Sequence, residues 1–268
     1  MSDSKPADVW ARGDAYERYV GRWSRRVAIE FVDWLGMPAA AAWLDVGSGS
    51  GALAETVLER ALPSRVHGID MSPGFVEHAK SRITDARATF VTADAEQIPV
   101  SDASFDAAVS GLVLNFVPHP ERAVLEMARA VRPGGCVAAY VWDYAGQMQL
   151  MRHFWDAAAA LDPKAAELDE GRRFPLCQKD RFAELFQKNE RLTDVEARAI
   201  GVATRFSDFD DYWTPFLGGQ GPAPSYVASL DERAEAALRE RLRAALPVRA
   251  DGSIELSARA WAVRAQRR

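Results

Sequence analysis

The chain of 268 residues is 48% apolar and 26% charged, the balance of a globular protein rather than a disordered, fibrous or disulfide-stapled one. Its 33 Lys and Arg are outnumbered by 38 Asp and Glu, so the net charge of -5 argues against nucleic acid as the main partner. Cys136 and Cys177 form neither a CxxC pair nor a disulfide framework, and Met1–Ala11 is polar, without the apolar core of a signal peptide. No run approaches the roughly 18 apolar residues that a membrane span requires. A cytoplasmic protein without a membrane partner is expected.

Residues 1–40 read as an N-terminal helical cap, because Tyr16, Tyr19, Val20, Trp23 and Val27 recur at helical spacing. Residues 41–143 alternate short apolar runs with helical segments, the pattern of a parallel α/β sheet. Strands are predicted at Ala42–Val46, Arg65–Ile69, Ala88–Thr92, Phe105–Ser110 and Cys136–Trp142. Between them fall helices at Ala52–Ala61, Pro73–Ile83 and Pro120–Val131, the last opened by Pro120 and stopped by Pro133-Gly134-Gly135. Beyond Asp143 the pattern changes. Helical stretches make residues 144–190 and 207–250 a lid, with Gly218–Pro224 read as a gate or a plain linker. Alternating segments make residues 191–206 and 251–268 two closing strands. The expectation is one domain: a doubly wound, mostly parallel, Rossmann-like sheet of seven strands with a helical lid.

The strongest local signal is Leu44-Asp45-Val46-Gly47-Ser48-Gly49-Ser50-Gly51, which ends a predicted strand and opens a helix. Glycines there let the chain turn sharply and bring backbone N–H groups close to a ligand. Asp70 ends the next strand, where a carboxylate can accept both hydroxyls of a ribose. Together they indicate an adenosine-containing ligand. No Lys follows the glycines, which disfavours ATP, and GxGxG spacing departs from the GxGxxG of dinucleotide sites. Asp45 would repel a pyrophosphate and attract an ammonium group. A nicotinamide-dependent oxidoreductase and a non-catalytic adenosyl-cofactor-binding protein stay open as alternatives.

Four ordered segments carry a family resemblance: LDVGSGSGAL (44–53), GIDMSPGFVEHAK (68–80), TADAEQIPVSDASFDAAVSGLVLNFVPHPERAV (92–124) and RAVRPGGCVAAYVWD (129–143). Over this stretch the chain resembles class I S-adenosylmethionine-dependent methyltransferases of the type 11 group. The resemblance implies S-adenosyl-L-methionine as cofactor, S-adenosyl-L-homocysteine as product and a small-molecule methyl acceptor. It assigns Asp45, Gly47, Ser48 and Gly49 to the methionine end, Asp70 to the ribose and Met71 to the adenine. Asp94 and Ala95 would meet the adenine edge, and Ser110, Gly111 and Leu112 the sulfonium region. Quinone-branch relatives often carry histidines where this chain has Asn115-Phe116, which points away from a quinone-type acceptor.

Methyl transfer from a sulfonium depends chiefly on holding three atoms in line. An aromatic lid is therefore expected around the site, with Tyr16, Tyr19, Arg22, Trp23, Asn115, Trp142, Tyr212 and Trp213 as acceptor-side candidates. Were the acceptor to lose a proton, His119, Asp143, Tyr144 or His153 could take it, with no pattern to choose among them. The histidines and cysteines show no metal-ligand spacing, so no metal is expected.

Overall fold

Each apolar run of the first half becomes a strand: β1 (Ala42–Val46), β2 (Arg65–Asp70), β3 (Ala88–Thr92), β4 (Phe105–Gly111) and β5 (Val131–Trp142). The computed structural model describes residues 21–218 and 221–268. Helices α1 (Arg22–Leu35), α2 (Ala52–Arg60), α3 (Pro73–Arg82) and α4 (Pro120–Ala130) precede or connect these strands. Later come α5 (Gln149–Leu161), α6 (Glu170–Arg173), α7 (Lys179–Gln187), β6 (Leu192–Phe206), α8 (Phe209–Trp213), α9 (Pro222–Ala228), α10 (Glu232–Ala245) and β7 (Ile254–Arg267).

The seven strands pair in the order β3-β2-β1-β4-β5-β7-β6. β1 pairs parallel with both β2 and β4, β4 parallel with β5, and β7 antiparallel with both β5 and β6. The order reverses between β1 and β4. In open α/β sheets that point, at the carboxyl ends of the strands, leaves a crevice for a ligand.

The core forms on both faces of this sheet. β1, β4 and the part of β5 from Val137 to Trp142 are buried almost throughout, as strands covered by helices on both sides must be. On α1, Trp23, Val27 and Phe31 are buried, with Trp23 edge-on to Phe206 at 5.1 Å and Phe31 against Tyr140 at 4.7 Å. Tyr16 and Tyr19 lie outside the described residues.

β5 differs from the sequence expectation. α4 ends at Ala130, before Pro133-Gly134-Gly135, and those residues lie inside the strand: Val131 pairs with Phe105 before the register shifts and resumes at Cys136 opposite Ala107. Gly135 permits the shift, since a Cβ there would stand 2.5 Å from the Asp106 carbonyl. β6 and β7 lie inside the segments 191–206 and 251–268, and each satisfies the other's backbone from Leu192↔Arg267 to Phe206↔Ile254. Within the Gly218–Pro224 stretch Gly219 and Gln220 lie outside the described residues, and Pro222–Pro224 are buried in α9. Among the described residues, no helix is long and apolar enough to cross a membrane.

Candidate functional site

A cavity of about 450 Å³ opens where the strand order reverses. Its floor is the turn between β1 and α2. Gly47 and Ser48 both donate their backbone N–H to the Ile69 carbonyl at 2.8 Å, tying the turn to the end of β2. Gly47 has φ 74°, and a Cβ there would stand 2.5 Å from the Val113 side chain. Gly49 is also left-handed, at φ 52°, but a Cβ would meet nothing within 4 Å. Gly47 is thus needed for close packing and Gly49 for its conformation.

Asp70, on the cavity wall, closes the turn from the other side. Its Oδ2 accepts the Gly49 N–H and its Oδ1 the Ser72 N–H, both at 2.9 Å. Burial raises its pKa, and these two N–H donors oppose the rise. Each oxygen keeps a second lone pair, so the carboxylate is fixed in place without losing its capacity for a diol. Met71 lies beside it on the cavity wall, 75% exposed.

Asp45 lies beneath the turn, 1% exposed, and neither carboxylate oxygen has a hydrogen-bonding partner of ordinary geometry. Burial pushes its pKa up to about 7; the neighbouring Asp70 charge adds to the rise and the Ala54 backbone amide opposes it. The Ser48 hydroxyl is buried and unpartnered as well. An unsatisfied buried carboxylate costs free energy unless something cationic compensates it. Asp45 does not itself line the cavity; Gly47 and Ser48, close to it in sequence, do, and a carboxylate and a hydroxyl left unpartnered there fit the ammonium-bearing end of S-adenosylmethionine.

The upper wall comes from the loop after β4. Ser110 does not reach the cavity; its hydroxyl donates to the Val46 carbonyl at 2.7 Å and ties β4 to β1. Gly111 and Leu112 do line it, Leu112 at φ 62°, a left-handed conformation uncommon for a side-chain-bearing residue. Asn115 lines it too, with Phe116 next to it. Asp94 and Ala95 stand outside, just beyond β3. Asp94 is exposed and its Oδ1 accepts the Glu96 N–H at 2.8 Å, while the Ala93 N–H donates to the Asp70 carbonyl.

The acceptor-side aromatics distribute unevenly. Trp23, Trp142, Tyr212 and Trp213 are core residues that do not line the cavity. Tyr212 donates its hydroxyl to the Leu150 carbonyl, and Trp213 lies under Arg239, 5.4 Å from its ring. Their size and apolar area outweigh any pull toward a ligand. Arg22 begins α1. The residues that do close the cavity, and that sequence patterns did not mark, are Ser24, Phe75, Val113, Tyr140 and Phe174. Tyr140 carried a weak signal, as an aromatic near the end of a predicted strand. Phe174 carried none.

None of the four base candidates lines the cavity. Asp143 is taken by structure: Arg259 of β7 pairs with it at 2.6 Å and the Gln147 N–H donates to it at 2.8 Å. Tyr144 is buried against Phe174, with ring centroids 6.0 Å apart. His119 is exposed and faces Glu121 at 3.7 Å. His153 is half-buried, and burial lowers its pKa while Asp156 opposes the fall. Among the described residues, no group of three His, Cys, Asp or Glu side chains could hold a metal ion.

Comparison with known proteins bears on the same segment. Residues 44–139 match the family model described as a methyltransferase domain. An uncharacterised methyltransferase of Mycobacterium tuberculosis is 37% identical over 114 residues, 42% of this chain and 44% of that protein. The ubiquinone/menaquinone biosynthesis C-methyltransferase of Bartonella bacilliformis is 33% identical over 115 residues, 39% of this chain and 43% of that one. The chain thus spans less than half the length of these curated relatives. A phosphoethanolamine N-methyltransferase of Haemonchus contortus, solved with S-adenosylhomocysteine, superposes with a TM-score of 0.60 at 19% identity, over 95% of this chain and 56% of that one. That likeness is one of fold. The matched segment, residues 44–139, holds the glycine turn, Asp45, Asp70 and the loop after β4, and over it the chain is similar to the methyltransferase domain family.

Proposed function

We propose that the chain transfers a methyl group from S-adenosylmethionine to a small-molecule acceptor bound in the same cavity. The observation that carries this reading is the buried, unpartnered Asp45 carboxylate beneath a glycine turn whose other side is fixed by Asp70. A pyrophosphate would be repelled by that arrangement, whereas an ammonium and a ribose diol complement it. The cofactor supplies an activated methyl on a sulfonium.

This chain's part is to bind and orient. Asp45, with Gly47, Ser48 and Gly49, holds the methionine end, Asp70 holds the ribose, and Met71 covers the adenine. Asp94 and Ala95 meet the adenine edge from the open side of β3, and Gly111 and Leu112 line the sulfonium region. Residues beyond Asp143 act as the lid that limits access of water, with Phe174 as the part that reaches the cavity. Positioning of this kind is worth about 7–11 kcal/mol of barrier, enough to make an activated methyl donor useful without further chemistry.

The test is calorimetric titration with S-adenosylhomocysteine and, separately, NAD(H). Saturable binding of the first but not the second, lost in Asp70→Ala, is the expected result. Binding of NAD(H) alone would overturn the reading. Methyl transfer is then scored by release of S-adenosylhomocysteine with a panel of small acceptors; tight cofactor binding without any turnover would favour a non-catalytic binding protein.

A further inference from the structure

Among the lining residues that the cofactor reading leaves unassigned are Ser24, Val113, Asn115, Phe116, Tyr140 and Phe174. None is charged. The Ser24 hydroxyl is committed to the Gly21 carbonyl at 2.9 Å. Phe116 and Phe174 meet edge to face, their ring centroids 5.0 Å apart. Asn115 holds its Nδ2 buried in the wall with no hydrogen-bond partner, an amide donor that lacks an oxygen.

Proton-accepting groups are as scarce as charged ones. Among the described lining residues only Asp70 and Tyr140 can ionise, and the Asp70 carboxylate, fixed by the Gly49 and Ser72 N–H groups, is the one the methyl-transfer reading gives to the ribose. Tyr140 is a phenol that stands over Gly111. Phenol and ammonium acceptors, which lose their protons near pH 10, find no His, Lys or further carboxylate among the described lining residues to take them. A carboxylic acid, with its pKa near 4, arrives ionised.

Resting on the methyl-transfer reading, we infer that the acceptor is a planar, apolar carboxylic acid whose carboxylate oxygen takes the Asn115 amide and whose body lies against Phe116 and Phe174. A lone pair of the carboxylate oxygen forms the new bond to the methyl carbon. The carbon–sulfur bond breaks with its pair going to sulfur, leaving a methyl ester and a neutral thioether. No proton moves, so no base is required. Charge is annihilated between two ions that meet in an apolar enclosure, where their attraction is strongest.

The experiment titrates cinnamate, cinnamyl alcohol and cinnamylamine into protein saturated with S-adenosylhomocysteine, and identifies the methylated product formed with S-adenosylmethionine. Cinnamate alone should bind and yield methyl cinnamate. Asn115→Leu should weaken cinnamate binding about tenfold and leave the affinity for S-adenosylhomocysteine unchanged. Equal cinnamate binding by Asn115→Leu, preferred binding or methylation of the alcohol or amine, or absence of cinnamate binding to cofactor-loaded protein would each overturn the acceptor assignment alone. Failure to bind S-adenosylhomocysteine would instead remove the reading beneath it.

Discussion

The two sides of the cavity are built by different means. On the cofactor side, backbone geometry acts: a turn with left-handed glycines, strand-end carbonyls and one carboxylate accepting two backbone N–H groups. On the acceptor side, Phe174 sits on a short strap after α6 that is held by long-range side-chain contacts. Arg152 of α5 binds Asp169 through two hydrogen bonds of 2.9 and 2.7 Å, and the Trp155 indole donates to Glu170. Burial pushes the Glu170 pKa up to about 7 despite that indole donor. The first construction is local and tolerates change elsewhere; the second stands or falls with a few buried polar groups far apart in sequence.

Breaking the second should therefore give the largest effect on stability. Arg152→Ala leaves Asp169, with a side chain only 10% exposed, without its partner. Loss of one member of a buried pair costs about 3–5 kcal/mol, so the unfolding midpoint should fall by roughly 6–12 °C. Calorimetry at a temperature where the variant is folded should find its S-adenosylhomocysteine affinity within about threefold of the parent. A parallel loss of that affinity would show that the two sides are one cooperative unit.

Breaking the first should do the reverse. Asp70→Ala removes the acceptor of the Gly49 and Ser72 N–H groups along with the ribose contact. Charge-assisted hydrogen bonds are worth about 1.5–3 kcal/mol, so affinity for S-adenosylhomocysteine should drop about tenfold to a hundredfold. Equilibrium titration reads this directly, and thermal unfolding without ligand should change far less than for Arg152→Ala.

Asp45 adds a pH dependence that belongs to the cofactor side alone. In the folded chain its carboxyl titrates at about 7, against 3.8 for the free group. The unfolded chain gives up this proton first, so the contribution to stability is full below pH 4 and lost as the pH climbs to about 7. A cationic ligand needs the ionised form and must displace the proton when it binds. Affinity for S-adenosylmethionine should accordingly rise about tenfold per pH unit from 5 to 7 and level off above. Asp45→Asn should flatten that profile and weaken binding at pH 8. Titration in buffers of different ionisation enthalpy would count the released proton, and a flat profile in the parent protein would dismiss Asp45 as the counter-charge.

The same contrast explains what could be read from the sequence. Gly47, Gly49 and Asp70 act through their own backbone or their nearest neighbours, so their spacing carries the information, and β1 to β4 fall within a residue of where the apolar runs place them. Asp143 misled because an acidic residue at a strand end is the same to a sequence pattern whether it faces a ligand or Arg259, 116 positions away. Trp142, Tyr212 and Trp213 look alike for a related reason: a large aromatic serves a core as well as a pocket, and only packing decides. Phe174 escaped notice because its place depends on Arg152, Trp155 and the loop after β4 together.

The smallest of these effects sharpens the comparison most, since it separates wall from scaffold. Phe174 touches the cavity, Phe116 and Tyr144, and the Arg173 guanidinium lies 5.3 Å from its ring centroid. Phe174→Leu keeps most of the apolar bulk and loses the edge-to-face contact, worth about 0.5–1.5 kcal/mol. A cycle with Phe116→Leu should recover that amount as coupling between the two rings in thermal unfolding. If Phe174 is the wall against which an acceptor lies, the variant should raise the acceptor KM severalfold and leave the KM for S-adenosylmethionine unchanged. A fall in kcat at unchanged KM would instead mean that the ring orders the methyl donor, and the division between the two sides of the cavity would have to be redrawn through Phe174 itself.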